Sequence, residues 1–220
     1  MVAKLHLASH SVTQWRLQCS SFTQLSLRDN DVVYQQGEAC TSVYYVVSGY
    51  LKLAATDRDG HGIIRAILHD GDFFGVISGG TAQQTEHAAI CKGAVKLYRG
   101  DASQFSTLLA SEPGIARDLL SNLSSRLAFA HRQTEAVLHQ SATSRLALML
   151  HQLAVQHGGH CRHGHDIDIR LTQQELADLI GASRPVVSTI LNEFRQRQIV
   201  NYTRSFICIE NMSALKQMLD

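Results

Sequence analysis

The chain reads as an α+β protein in three parts: an N-terminal antiparallel β region, a long helix with a heptad seam, and a C-terminal winged helix-turn-helix. Three observations predict this. Strand-length runs with glycines at their corners fill residues 22–99, a 3-4 apolar spacing takes over from Leu120 to Val137, and LTQQELADLIGASRPVVSTILNEF, residues 171–194, carries start and stop signals for two helices in tandem. With 220 residues and 45% hydrophobic content the chain can bury a core, and at about 100–200 residues per domain it holds one or two.

In the β region, DVVYQQGE, SVYYVVSGYLKLAATDRDGHGIIRAIL and EHAAICKGAVKLY are rich in β-branched and aromatic residues, and glycines 37, 49, 60, 62, 71 and 75 mark the corners. Such spacing predicts an antiparallel sandwich or barrel. The period then changes. Ala116, Leu120, Leu123, Leu127, Ala130, Thr134 and Val137 follow one another at alternating steps of four and three. That is a coiled-coil seam, with Pro113 where a helix can begin, and it predicts a homodimer held by Leu120, Leu123, Leu127, Ala130, Thr134 and Val137. The alternative is an amphipathic helix lying on its own domain.

From Thr143 onward the sequence predicts a helix (SRLALMLHQLAVQ), a His-rich loop, the helix-turn-helix and a short strand pair (IVNYT and FICIE). Thr172 can cap the first helix of the tandem, and Glu175 three residues on completes a capping box. Gly181 can take the left-handed conformation that ends that helix; Ser183 can cap the second, and Pro185 suits its first turn, where a missing N–H costs nothing. In a helix-turn-helix the N-terminal part of the second helix enters the DNA major groove.

Charge is nearly balanced, 20 basic residues against 19 acidic, which excludes a polyelectrolyte-like nucleic-acid binder but allows a small DNA-reading face. The N-terminus MVAKLHLASHSVTQW has no apolar core for a signal peptide, and no window approaches the ~18–20 apolar residues of a membrane span, so a cytoplasmic protein without membrane contact is expected. Cys19, Cys40, Cys91, Cys161 and Cys208 are odd in number and form no C-x-x-C pair. Reduced, structural thiols are expected.

The sequence resembles the bacterial CRP/FNR family of transcription regulators over nearly its whole length. GEACTSVYYVVSGYLKL, LHDGDFFG, the heptad helix and LTQQELADLIGASRPVVSTIL, in that order, carry the resemblance. It implies a cyclic-nucleotide-binding-type jelly roll over 1–110 as the sensor, a dimerisation helix over 111–141 and a winged helix-turn-helix over 142–220. It also implies an inverted-repeat operator in double-stranded DNA and RNA polymerase as a partner. By position, Arg184 matches the family's guanine-reading arginine, whose guanidinium fork fits guanine O6 and N7 together. Thr172 and Ser183 match phosphate-contacting positions and could equally serve as helix caps alone. Gln173, Pro185, Ser188, Thr189 and Arg204 complete the expected DNA-binding set. Where cyclic-AMP-type members usually carry glutamate and arginine in the recognition helix, this chain has Pro185 and Thr189, so a different operator is expected.

On the sensor side the expected pocket residues are Phe74, Gly75, Val76, Thr85, Glu86, His87, Ala130 and His131. Val76 stands in place of the family's ribose-binding glutamate, and Thr85-Glu86-His87 in place of its phosphate-binding Arg-Ser. A glutamate facing a phosphodiester would repel it. Ala130 and His131 replace the hydroxyls that reach the purine, so control by cyclic AMP is not expected. The effector stays open between haem, for which His87 or His131 could supply an axial ligand, a metal, and a small metabolite. HGGHCRHGH, His157 to His165, offers His160, Cys161, His163 and His165 as zinc-type ligands, though a glycine-spaced surface loop has the same composition. No nucleophile and base stand at catalytic spacing and no phosphate-cradling loop is present, so no catalytic residue is assigned. A ligand-binding regulatory module would explain the β region without DNA, but it would lack the last quarter of the chain.

Overall fold

In the computed structural model, which describes residues 22–76, 83–161, 164–203 and 206–219, the backbone of the N-terminal part is one long antiparallel pairing. Strand β4 (Ser42–Thr56) runs beside β8 (Ala88–Asp101) in register from Ser42 opposite Asp101 to Ala54 opposite Ala88. Strands β1 (Thr23–Leu27) and β2 (Val32–Tyr34) add to β8, while β5 (Gly62–Leu68) and β6 (Phe73–Gly75) add to β4. A second small sheet pairs β3 (Ala39–Cys40) with β7 (Gln83–Gln84). This is the antiparallel architecture expected of the jelly roll, and the alternation of β-branched and aromatic residues explains why these segments are strands. Tyr45, Leu51, Leu68, Phe73 and Leu97 are fully buried at its centre, together with Phe105 of helix α1 (Ala102–Ser111).

Helix α2 (Pro113–His139) begins at the expected proline. The chain forms two compact units, Met1–Leu127 and Ala128–Asp220, whose division falls inside α2. Within the first unit Ile115 and Leu119 are buried in the β core, and Leu123 packs against it half-buried. Leu123 was expected on the dimer seam; it lies on its own domain because positions 115, 119 and 123 follow one another at i, i+4, the spacing of a single helix face. Leu120 and Leu127, by contrast, are 68% and 57% exposed.

The second unit packs α3 (Ala142–His157), α4 (Gln173–Ile180), α5 (Arg184–Gln196) and the short α6 (Met212–Lys216) with a four-stranded antiparallel sheet. Strands β11 (Val200–Tyr202) and β12 (Ile207–Ile209) are the expected wing pair. The His-rich stretch is not the loop that its composition suggests. After the end of α3 it forms β9 (Gly158–Cys161) and β10 (Gly164–Ile167), and β10 also pairs with β12, so the hairpin widens the wing sheet. His160 stands opposite His165 in that pairing. His163 and Arg162 lie outside the described residues. The core here is Leu146, Leu150, Ile167, Ile169, Leu176, Val187, Phe194 and their neighbours.

Candidate functional site

The helix-turn-helix is built by local signals, of which the Thr172 capping box, Gly181 and Pro185 act as expected and the Ser183 cap does not. The Thr172 hydroxyl accepts the Glu175 backbone N–H at 3.1 Å, and the Glu175 carboxylate accepts the Thr172 backbone N–H at 2.9 Å, closing the capping box at the start of α4. Gly181 ends the helix at φ 63°, a left-handed conformation that is strained for residues with a Cβ. Ser183 occupies the cap position of α5 with extended backbone, yet its side chain makes no cap hydrogen bond. The hydroxyl expected to cap is thus left exposed beside Arg184. Pro185 lies in the first turn, as expected.

Burial of Val187, Ile190, Leu191 and Phe194 fixes which way α5 faces. Arg184, Pro185 and Thr189 are exposed and Ser188 is half-buried. Thr172 is exposed and Gln173 half-buried at the start of α4. The Thr172 hydroxyl also donates to Glu175 at 3.1 Å, so it is occupied in the cap. Two residues the sequence reading missed hold this face in place. Arg145 of α3 donates to the carbonyls of Gln140 (2.9 Å), Ile180 (2.8 Å) and Gly181 (3.3 Å). One guanidinium therefore serves the orphan carbonyls just beyond α2 and at the end of α4, where a cation also complements both helix dipoles. Tyr202 of the wing places its hydroxyl 3.5 Å from the Leu171 carbonyl. Burial raises its pKa, while the Gln173 backbone N–H and the Arg184 charge work in the opposite direction. Arg197 pairs with Glu193 at 3.5 Å. Arg204, an expected contact, lies outside the described residues.

The sensor residues fall in both units. Phe74 is buried and stacked on Tyr44, centroids 4.9 Å apart. Gly75 has φ 89° and a Cβ there would collide with the Ser42 carbonyl, so only glycine fits. Val76 is 5% exposed and belongs to the hydrophobic core. Thr85 donates to the Gln35 carbonyl. Glu86 is exposed and ion-paired with Arg65 at 2.6 Å. Its charge is compensated, which weakens the expected repulsion of a phosphodiester and leaves the burial of Val76 as the stronger departure. His87 is bonded to the Tyr34 hydroxyl at 3.0 Å and its rings pack on Tyr34 at 5.8 Å. Its Nδ1 is buried with no hydrogen-bond partner. Burial, then Arg65 and Arg126, hold its pKa below the usual histidine value. Ala130 and His131 are exposed and belong to the second unit.

The turn into β6 is tied to α2. Asn122 donates to the buried Asp72 carboxylate at 2.8 Å, and Arg126 donates to the Phe73 carbonyl at 2.8 Å. Cys40, Cys91 and Cys208 are buried, and burial pushes the Cys91 thiol up to about 11. Among the described residues no helix is long and apolar enough to cross a membrane.

Two family models match the chain: residues 24–112 fit the cyclic nucleotide-binding domain and residues 144–218 the Crp-like helix-turn-helix domain. The global nitrogen regulator of Synechocystis sp. is 28% identical over 187 residues, which cover 84% of this chain and 83% of that protein. The CRP-like cAMP-activated global transcriptional regulator of Mycobacterium tuberculosis is also 28% identical over 187 residues, 83% of this chain and 82% of that one. Among solved structures, FixK2 from Bradyrhizobium japonicum shares the fold with a TM-score of 0.76 at 21% identity, over 90% of this chain and 96% of its own.

Proposed function

This chain belongs to the CRP/FNR family of DNA-binding transcription regulators, and on that premise we propose that it works as a homodimer that reads an inverted-repeat operator without control by cyclic AMP. The observation that carries the DNA-reading part is the first turn of α5: Arg184 is exposed, with Ser188 one turn on, and burial of Val187, Ile190, Leu191 and Phe194 fixes the helix against its own domain. A guanidinium in that position suits guanine in the major groove. Ser183 and Gln173 border it as phosphate contacts, with Arg204 as a further one, while both Thr172 donors stay with Glu175 in the cap.

The dimer rests on α2. Leu120, Leu127, Val137 and Leu138 are all more than half exposed in the single chain, an apolar edge that a second copy would cover. Two-fold pairing would set two recognition helices about one duplex turn, ~34 Å, apart. RNA polymerase as a partner and a cytoplasmic location belong to the same reading. The insensitivity to cyclic AMP is supported by Val76, whose buried side chain offers a ribose hydroxyl no acceptor. His87 is held by Tyr34 through Nε2, which leaves the buried Nδ1 as the atom it would offer an effector. The deciding experiment is selection of bound duplexes from a random pool, with and without small molecules from cell extract. Enrichment of a two-fold symmetric site is expected; a pool that stays random refutes the reading.

A further inference from the structure

The recognition helix carries an exposed apolar patch. Val186 is 41% exposed, whereas its neighbour Val187 is completely buried. At about 100° per residue, the buried stripe of Val187, Ile190, Leu191 and Phe194 puts Pro185 and Thr189 on the opposite face, with Val186 on their flank. Pro185 and Thr189 are both exposed. The Thr189 hydroxyl donates to the Pro185 carbonyl at 3.1 Å. Its proton is therefore occupied within the helix, which leaves the residue an acceptor oxygen and, as its apolar contribution, the γ-methyl. Pro185 has no backbone N–H and presents a hydrocarbon ring. Ring, isopropyl group and methyl lie together at the end of the helix that enters the groove.

In the major groove the thymine C5-methyl is the one apolar group on any base edge, and an apolar side chain is its matching contact. We infer that Pro185, Val186 and Thr189 read thymine methyl groups, so that each half-site couples the guanine read by Arg184 to a thymine one or two base pairs away. This rests on the DNA-binding reading above and names the base that completes it.

The test uses the native chain and the half-site recovered from the random pool, with each thymine replaced in turn by deoxyuridine, which lacks only the methyl. One thymine near the guanine should lose about fourfold in affinity per half-site when changed, the worth of one methyl group returned to water, and about 15-fold when both half-sites are changed. Uracil elsewhere in the duplex should have no effect. In Val186→Ala, an exposed position whose change leaves the core intact, the thymine and uracil duplexes should bind more nearly alike than to the native chain. An enriched half-site that contains no thymine beside the guanine, or one at which uracil is neutral throughout, overturns this inference alone. A pool that stays random overturns the DNA-binding reading and this inference with it.

Discussion

Arg184 and His87 show how differently two single side chains are tied to function. Arg184 stands exposed at the first position of α5, near enough to Tyr202 for its charge to be felt there. Arg184→Ala should cost about 1–3 kcal/mol at the cognate operator and flatten the preference at one base pair per half-site, measured by titrating single-base-pair variants of that operator. An equal loss on every sequence would make it a phosphate contact. Its exposed place was legible from one local pattern, a helix start with arginine and proline in the first turn. Arg145 was not, because a surface arginine near a helix end is common and only the fold brings the carbonyls of residues 140, 180 and 181 to one guanidinium. His87 makes a pH-dependent contribution. Its pKa is depressed in the folded chain, first by burial and then by Arg65 and Arg126, so below the ordinary histidine value of about 6.5 the unfolded chain binds a proton that the folded chain refuses. Stability therefore falls on acidification from about pH 7 to about pH 5. His151 is shifted the same way by burial and Lys216, but it remains in His87→Gln, whose urea midpoint should fall less steeply over that range. Parallel slopes for the two proteins would place the sensitivity elsewhere.

At the level of elements, α2 has two faces that one heptad pattern merges. Ile115, Leu119 and Leu123 look into the β core, whereas Leu120 and Leu127 lie about a quarter-turn round the helix and stay exposed. Periodicity finds a helix with an apolar stripe, but Leu123 satisfies the repeat and the intramolecular face at once, so spacing alone could not assign it. Leu127 separates the two roles. Leu127→Glu leaves the core packing alone and would bring two like charges together across a symmetric seam. Sedimentation should show a monomer with weakened operator binding, and a variant that still sediments as a dimer would move the interface off this edge. The helix-turn-helix was the most legible element, since cap, left-handed glycine and first-turn proline are chemical requirements and not tendencies. The hairpin of β9 and β10 was the least legible. Glycine and histidine have little strand propensity, and pairing with β12 supplies what the local sequence lacks.

For the molecule as a whole, the order of the parts could be read, but the place where the chain divides could not. The contact boundary falls inside α2, after Leu127, where no glycine, proline or polar run marks it. Nothing in the spacing marks the contact of His87 with Tyr34 either, since it joins residues far apart in the sequence. What the structure does support is a negative expectation. Calorimetry with cyclic AMP and cyclic GMP should give no binding isotherm, and neither should change operator affinity; losing one charge-assisted hydrogen bond costs about 1.5–3 kcal/mol, and two such losses take a micromolar site to about 0.2 mM or weaker. A saturable micromolar isotherm that tightened DNA binding would refute it. A further consequence follows from the grip of Asn122 on Asp72 and of Arg126 on the Phe73 carbonyl. Two holds one turn apart on the same side of a helix stop it from rolling about its axis. Leu120 and Leu127 are thereby given a single compass bearing relative to the strands. A second chain docked along that edge would then have one rotational phase in which to meet both leucines.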